Sequence, residues 1–306
     1  MRVVVVTEPG DPEVLQTVER PDPAPVAGQA VVRMQAASVN PIDLAARTGW
    51  HPPVFEIQDP PYVPGWDLAG EVVAVGEGVE AVAPGDPVVA MIPWHAAGGR
   101  YGAYAELVLV EAEWLVTRPA GLDPVAAATV PLNGLTAHQC LAMLAVPAGE
   151  ELLVTGASGG VGGFAVQLAH AAGVRVTAVA GADDEEWVRG LGADVVLPPD
   201  VDLGTVGPFR HVLDAVPLGE PVRAAVAPGG AIVETGGSPA LPDGSALTQR
   251  MVLVAVDRDA LAELLGGLAA GTLRTRVAET LPLAEAAEAH RRSGMRGRRG
   301  KTVLVD

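Results

Sequence analysis

The sequence predicts an α/β protein of two domains, one β-rich and one built on a doubly wound parallel sheet. Three observations carry that prediction. The first third is written in short valine-rich runs (3–6, 30–34, 68–75, 87–91 and 104–110) cut by Pro, Gly and Asp, the pattern of strands joined by turns. From residue 151 onward apolar runs alternate with helical stretches, which is how a parallel sheet covered by helices on both faces reads. Between the first of those strands and its helix lies a turn dense in glycine, 156–163. The length agrees, since 306 residues suffice for about two domains with sizeable cores.

Taken in order, Pro21, Pro23 and Pro25 make a stiff extended spacer, and Pro52, Pro53, Pro60, Pro61 and Pro64 mark a long loop. Near Leu122 the composition turns to Ala and Leu, and Asp123 is placed to cap a helix opening at Pro124. Strand 152–155 precedes a helix at 162–172, and strand 175–179 precedes one near 184–191. Runs 195–197, 211–216, 231–235 and 251–256 complete the strands. After a helix at 260–270 the β texture returns at 276–281 and 302–305, so the tail is expected to rejoin the first domain. The expected division is 1–120, completed by 276–306, and 121–275.

Composition narrows the function. Twenty basic residues against thirty-seven acidic ones leave a formal charge of −17, the wrong sign for a generic nucleic-acid grip. The longest weakly polar stretch, 125–180, is interrupted by His138, Pro147, Glu150, Glu151, His170 and Arg175, so no transmembrane helix is expected and the expected setting is cytoplasmic. A single cysteine, Cys140, cannot make a disulfide framework or a Cys-rich zinc site. The only lysine is Lys301.

The strongest motif is Thr155-Gly156-Ala157-Ser158-Gly159-Gly160-Val161-Gly162-Gly163. Following a strand and opening a helix, it lets the backbone N–H groups of Ser158, Gly159, Gly160 and Val161 approach a pyrophosphate, with the helix N-terminus adding positive charge. Dinucleotide binding follows. An NAD site usually carries an acid about 20 residues further on. Here the strand ends in Ala180-Gly181, which leaves room for a 2′-phosphate, and Asp183 and Asp184 read as the first turn of the next helix. NADPH is therefore expected ahead of NADH. The short-chain dehydrogenase pattern fails, because its Tyr-x-x-x-Lys would need a tyrosine at Gly297.

Asn40-Pro41-Ile42-Asp43, then Pro64-Gly65-Trp66-Asp67-Leu68-Ala69-Gly70-Glu71-Val72, then Gly85-Asp86-Pro87-Val88 stand in sequence, followed by Gly102-Ala103-Tyr104-Ala105-Glu106, Gly134-Leu135-Thr136-Ala137, Leu191-Gly192-Ala193-Asp194 and Arg299-Gly300-Lys301-Thr302-Val303-Leu304. In these motifs the chain resembles the medium-chain dehydrogenase/reductase superfamily, and most of all its zinc-free quinone oxidoreductase (zeta-crystallin-like) branch. The resemblance implies a GroES-like substrate domain made from both chain ends, a Rossmann domain between, and NADPH-dependent reduction of a quinone or an α,β-unsaturated carbonyl. Zinc-dependent relatives place Cys where Asn40 stands and His where Trp66 stands; only the acid, Asp67, is kept. Neither indole nor carboxamide is a competent ligand, so no zinc is expected.

The same resemblance nominates a site. Asn40 would offer an amide donor beside the nicotinamide, both as catalytic residue and as cofactor contact; its plainer role is a cap before Pro41. Thr136 matches a threonine that touches the nicotinamide, or else bonds its own helix backbone. Gly236, Gly237 and Ser238 resemble the backbone clamp on the carboxamide. Val216, at the end of strand 211–216, completes the cofactor set with Gly181. Arg298 is placed near a cofactor phosphate, against a solvated basic tail at 291–301. His51, beside Trp50, is the nearest thing to a proton donor, against a solvated loop histidine, and Tyr104 reads as core. A homodimer through the edge strand 251–256 is expected. Two other readings stand beside this one: a pathway-specific enoyl or ketone reductase of secondary metabolism, and a non-catalytic NADPH-binding protein.

Overall fold

The computed structural model describes residues 1–51, 59–95, 98–239, 241, 245–295 and 297–306. Two compact units divide the chain, Met1–Leu132 with Ala255–Asp306, and Asn133–Val254. The divisions thus fall later than 120 and earlier than 275. For the second boundary the reason is a long-range contact: the helix that follows 254 belongs with the first unit, where Arg258 Nε donates to the Leu115 carbonyl at 3.0 Å.

In the first unit, β1 (Arg2–Val6) pairs antiparallel with β2 (Leu15–Glu19). Next come β3 (Gln29–Ser38), α1 (Pro41–Arg47), β4 (Asp67–Val75), β5 (Pro87–Met91), β6 (Leu107–Glu111), β7 (Leu115–Thr117) and α2 (Pro124–Ala127). The expected valine runs are these strands, except that 104–110 begins late. Tyr104 precedes the strand and is fully buried. Its carbonyl accepts the Val4 N–H at 2.9 Å.

Helix α3 (Pro131–Leu144) opens in the first unit and passes into the second at Asn133. The second unit continues with β8 (Glu151–Thr155), α4 (Gly160–Ala171), β9 (Arg175–Val179), α5 (Glu185–Gly190) and β10 (Val195–Leu197). It closes with α6 (Leu203–Val206), β11 (Phe209–Asp214), α7 (Glu220–Arg223), β12 (Val226–Glu234) and β13 (Thr248–Met251). The strand order is β10-β9-β8-β11-β12-β13, and every neighbouring pair is parallel. The order reverses between β8 and β11, and ligands of such sheets bind beyond the strand C-termini at that switch point. Leu153, Phe209, Val212 and Ile232 form the core beneath it with Val179 and Val226; truncating one such side chain to alanine costs about 2–5 kcal/mol.

The expected strand 251–256 is corrected. The edge strand is β13 and ends at Met251. One further N–H, Val252 to the Glu234 carbonyl at 3.0 Å, continues the ladder, and beyond it the apolar run leaves the sheet to return to the first unit. Within that run Val252 is buried while Leu253 is half exposed.

The returning segment carries α8 (Arg258–Ala269), β14 (Val277–Pro282), α9 (Ala286–Ser293) and β15 (Lys301–Val305). In the first unit's larger sheet the order is β14-β15-β3-β4-β5-β7. Strand β3 uses one edge for β4 and shares the other, Gln29–Arg33 facing β6 and Ala36–Ser38 facing β15. Among the described residues no helix is long and apolar enough to cross a membrane.

Candidate active site

In the second unit the glycine turn is built by close contacts. Gly156 has φ +60°, the left-handed region that glycine enters without penalty. A Cβ on Gly162 would stand 2.3 Å from the Gly156 carbonyl oxygen, so this backbone crossing admits no side chain. The first i→i−4 bond of α4 is Gly163 N–H to Gly159 C=O at 2.9 Å. The N–H groups of Gly160, Val161 and Gly162 therefore lie before the helix ladder begins, as a pyrophosphate ligand set requires. A Cβ on Gly160 would meet Asn133 Oδ1 at 2.3 Å. Asn133 thus packs on the start of α4, and Thr136, three residues along the same helix and buried, shares its side of α3.

Two residues to which the sequence reading assigned no role fix the switch point. Thr155 Oγ1 donates to Asp214 Oδ1 at 2.5 Å and accepts the Ala215 N–H at 3.1 Å, while Asp214 Oδ2 accepts the Leu218 N–H at 2.8 Å. Burial pushes the Asp214 carboxyl up from the ordinary range, against the pull of those donors. A signal was present in the sequence: an acid closing an apolar strand is rarely solvated. Val216 lies just beyond, over Gly156; a Cβ there would come within 2.9 Å of its Cγ2.

Other nominees are placed with less support. Ser238 N–H donates to Glu234 Oε1 at 3.1 Å, so of the three clamp nominees this N–H is already engaged. Arg298 pairs with Glu279, which also holds Arg292 at 2.8 Å; its charge is answered within the first unit. His51 adjoins 52–58, which lie outside the described residues. Tyr104 is core, its hydroxyl 3.2 Å from His290 Nε2. Burial drives His290 down to about 3, so it stays neutral.

The first unit gathers Asn40, Asp43, Asp67 and Lys301. Asn40 caps α1, its N–H donating to Asp43 Oδ2 at 2.8 Å, while Asp43 Oδ1 accepts the Gly65 N–H at 3.1 Å. Asn40 Nδ2 donates to Asp67 Oδ2 at 2.8 Å and, more weakly, to the Ser38 carbonyl at 3.4 Å. Asp67 Oδ1 accepts the Leu132 N–H at 2.7 Å, and Lys301 Nζ donates to Asn40 Oδ1 at 2.6 Å. Burial raises both acids, Asp43 to about 7 and Asp67 to about 6, and lowers Lys301 to about 8; each carboxylate pulls the lysine back up. Beside the cluster Trp66 stacks on His95, ring centroids 5.5 Å apart.

This donor set does not suit zinc. The Asn40 nitrogen is a donor, its oxygen already takes a bond from an ammonium, and an indole has no lone pair to give. Placing a dication beside the half-buried Lys301 cation would add repulsion in a medium that screens poorly. Among the described residues no group of three His, Cys, Asp or Glu is arranged to hold a metal.

Comparison with known proteins agrees with the two-unit fold. Residues 26–120 match the family model of the alcohol dehydrogenase GroES-like domain, and 175–304 that of a zinc-binding dehydrogenase. A quinone-oxidoreductase homolog of spinach chloroplasts is 40% identical over 194 residues, 61% of this chain and 57% of that protein. An Arabidopsis chloroplast NADPH-dependent alkenal/one oxidoreductase is 34% identical over 218 residues, 69% of this chain and 55% of that protein. The match thus spans a little over half the length of these curated relatives. Among solved structures, a quinone oxidoreductase of Coxiella burnetii superposes with a TM-score of 0.89 at 26% identity, covering 100% of this chain and 99% of that one. An NAD-dependent alcohol dehydrogenase gives 0.87 at 32% identity, with both chains covered in full. The chain belongs to the medium-chain dehydrogenase/reductase superfamily.

The buried acids make a testable demand on stability. Their folded pKa values lie above the ordinary carboxylate value, so the folded state holds protons that the unfolded chain has released. The contribution is fully present below about pH 4 and is lost as pH rises through about 7. Urea unfolding of the wild type between about pH 5 and about pH 8 is expected to show a falling stability, and Asp67→Asn a shallower fall; equal slopes would refute the assignment.

Proposed function

We propose that the chain is an NADPH-dependent reductase that passes a hydride to a quinone or an α,β-unsaturated carbonyl without zinc. The observation that carries this reading is the Lys301–Asn40–Asp67 chain, at 2.6 Å and 2.8 Å, which sets an amide where the family resemblance gives zinc-dependent relatives a cysteine ligand, and an ammonium against that amide. Removing an alcohol's proton draws on a Lewis acid. Reducing an electron-poor C=C or a quinone needs only donors that meet the charge growing on oxygen.

The bound nicotinamide would supply the hydride. The chain's own part is to seat it and to receive the substrate oxygen. Gly160, Val161 and Gly162 offer backbone N–H groups to the pyrophosphate, with Ser158 and Gly159 completing the turn. Thr136 is the side chain assigned to the nicotinamide end, with Gly236 and Gly237. Asn40 is assigned to the substrate oxygen. Its long bond to the Ser38 carbonyl, 3.4 Å, is the one that oxygen would replace. Solvent is an adequate proton source, and His51 is not needed for it.

For the cofactor's form, a Cβ on Gly181 meets nothing within 4 Å, space that a 2′-phosphate can use, and the Arabidopsis relative is NADPH-dependent by name. NADH is the second reading, favoured by the run Asp183-Asp184-Glu185-Glu186, which repels a phosphate dianion. A second copy of the chain is the proposed partner, pairing along the exposed edge of β13.

Three measurements check these proposals. Cofactor oxidation with a simple quinone or enone is expected for the wild type, and Asn40→Ala is expected to lower kcat about tenfold or more; binding without turnover would make the chain a cofactor-binding protein instead. Fluorescence titration is expected to give tighter NADPH than NADH. At Gly181 φ is −62°, so Gly181→Asp is free of backbone strain and is expected to reverse the preference; tighter NADH in the wild type would favour the second reading. Light scattering at micromolar concentration is expected to report a dimer, and a monomer would remove the β13 pairing.

A further inference from the structure

Every basic residue of this chain is arginine except Lys301. It opens β15, where its N–H donates to the Arg276 carbonyl at 2.8 Å. Its ammonium reaches Asn40 Oδ1 at 2.6 Å. An amide has two ends of nearly equal shape, and its neighbours decide which end faces where. Here a cation stands against the oxygen and a carboxylate, Asp67, against the nitrogen. The reversed amide would set an NH2 against the ammonium and an oxygen against the carboxylate, losing both bonds and adding two repulsions.

We propose that Lys301 is a positioning residue that locks the Asn40 amide in one orientation, so that the Asn40 N–H donors, and not its oxygen, face the substrate carbonyl. The inference rests on the reductase reading above. Lysine suits the task where arginine does not: a compact point charge fits against a single amide oxygen, whereas a planar fork seeks two acceptors. Of the other charged groups on elements packed against β15, those near it are paired with one another, while Glu285, on the turn Leu283–Glu285, is exposed. Glu279 of β14 holds Arg292 and Arg298; on α9, Glu288 holds Arg291 and Arg292. His290 faces Tyr104, and Arg33 of β3 is exposed and lies opposite Glu71 of β4. What acts on the ammonium is Asp67 and Asp43.

A lone lysine gives one side-chain NMR signal, so its titration can be followed in the protein without cofactor. A midpoint near 8 is expected, moving down by about one unit in Asp67→Asn and also down in Asn40→Ala, as each loss removes a group that favours the charged form. A midpoint in the ordinary lysine range, or one unmoved by both variants, would overturn the proposal. In turnover, Lys301→Met is expected to lose about tenfold or more in kcat with the KM for NADPH unchanged. Lys301→Arg is expected to recover part of kcat and to abolish the alkaline fall near pH 8, because a guanidinium does not titrate there. A loss confined to NADPH affinity, with kcat intact, would make Lys301 a cofactor ligand and sink the positioning role. If the wild type turns over no quinone or enone, the reductase reading fails, while the NMR arms still decide whether Lys301 is coupled to Asn40 and Asp67.

Discussion

The carboxylate of Asp67 is the group on which the rest of the first unit's site depends. It is fully buried, and a charge taken out of water costs several kcal/mol unless partners replace the lost hydration. Both oxygens are therefore committed: one to the Leu132 N–H, in the first turn of α3, the other to the Asn40 amide. That single side chain sets where α3 begins and how Asn40 is held. Asn40 in turn caps α1 and meets Lys301 from the last strand. Four segments remote in sequence are thus fixed by one acid, and its burial contributes geometric definition more than stability.

The second unit solves a parallel problem with the same chemistry. At the switch point of its sheet Asp214 binds the Thr155 hydroxyl and the Leu218 N–H of the chain beyond. A parallel sheet offers no hairpin to pin adjacent strand ends, so a side-chain staple between β8 and β11 does it. The glycine turn hangs directly from that staple, one residue after Thr155, and inherits its position.

Legibility in the sequence followed the physics of each feature. Alternating strands and helices, the glycine turn and the tail's return were readable because each is local or periodic. The edge strand was misplaced because an apolar run does not by itself fix strand pairing, and 251–256 keeps the ladder only as far as Val252. The division between units was misplaced because α8 joins the first unit through a long-range bond, Arg258 to Leu115, which no local pattern announces. At the site, Asn40 was legible as standing where zinc-dependent relatives place a cysteine, and Asp67 as the acid that is kept. Lys301 was visible only as a count of one, since what makes it matter is a partner 261 positions away. Asp214 and Thr155 were missed because a staple between two strand ends exists only after the sheet has formed.

The place of β15 has a consequence for how the molecule comes into being. This strand lies between β14 and β3, inside the first unit's sheet, yet it is made after almost everything else. Strand β3 can meet β4 and β6 early during synthesis, but its Ala36–Ser38 edge has no neighbour until 301–305 emerge. The second unit, by contrast, is contiguous and can close on itself while the ribosome is still working, as domains synthesised in one piece do. The first unit therefore waits, with an open sheet edge and an incomplete polar cluster, for the strand that brings Lys301. The polar cluster is complete only once residues 301–305 have emerged and paired with β3.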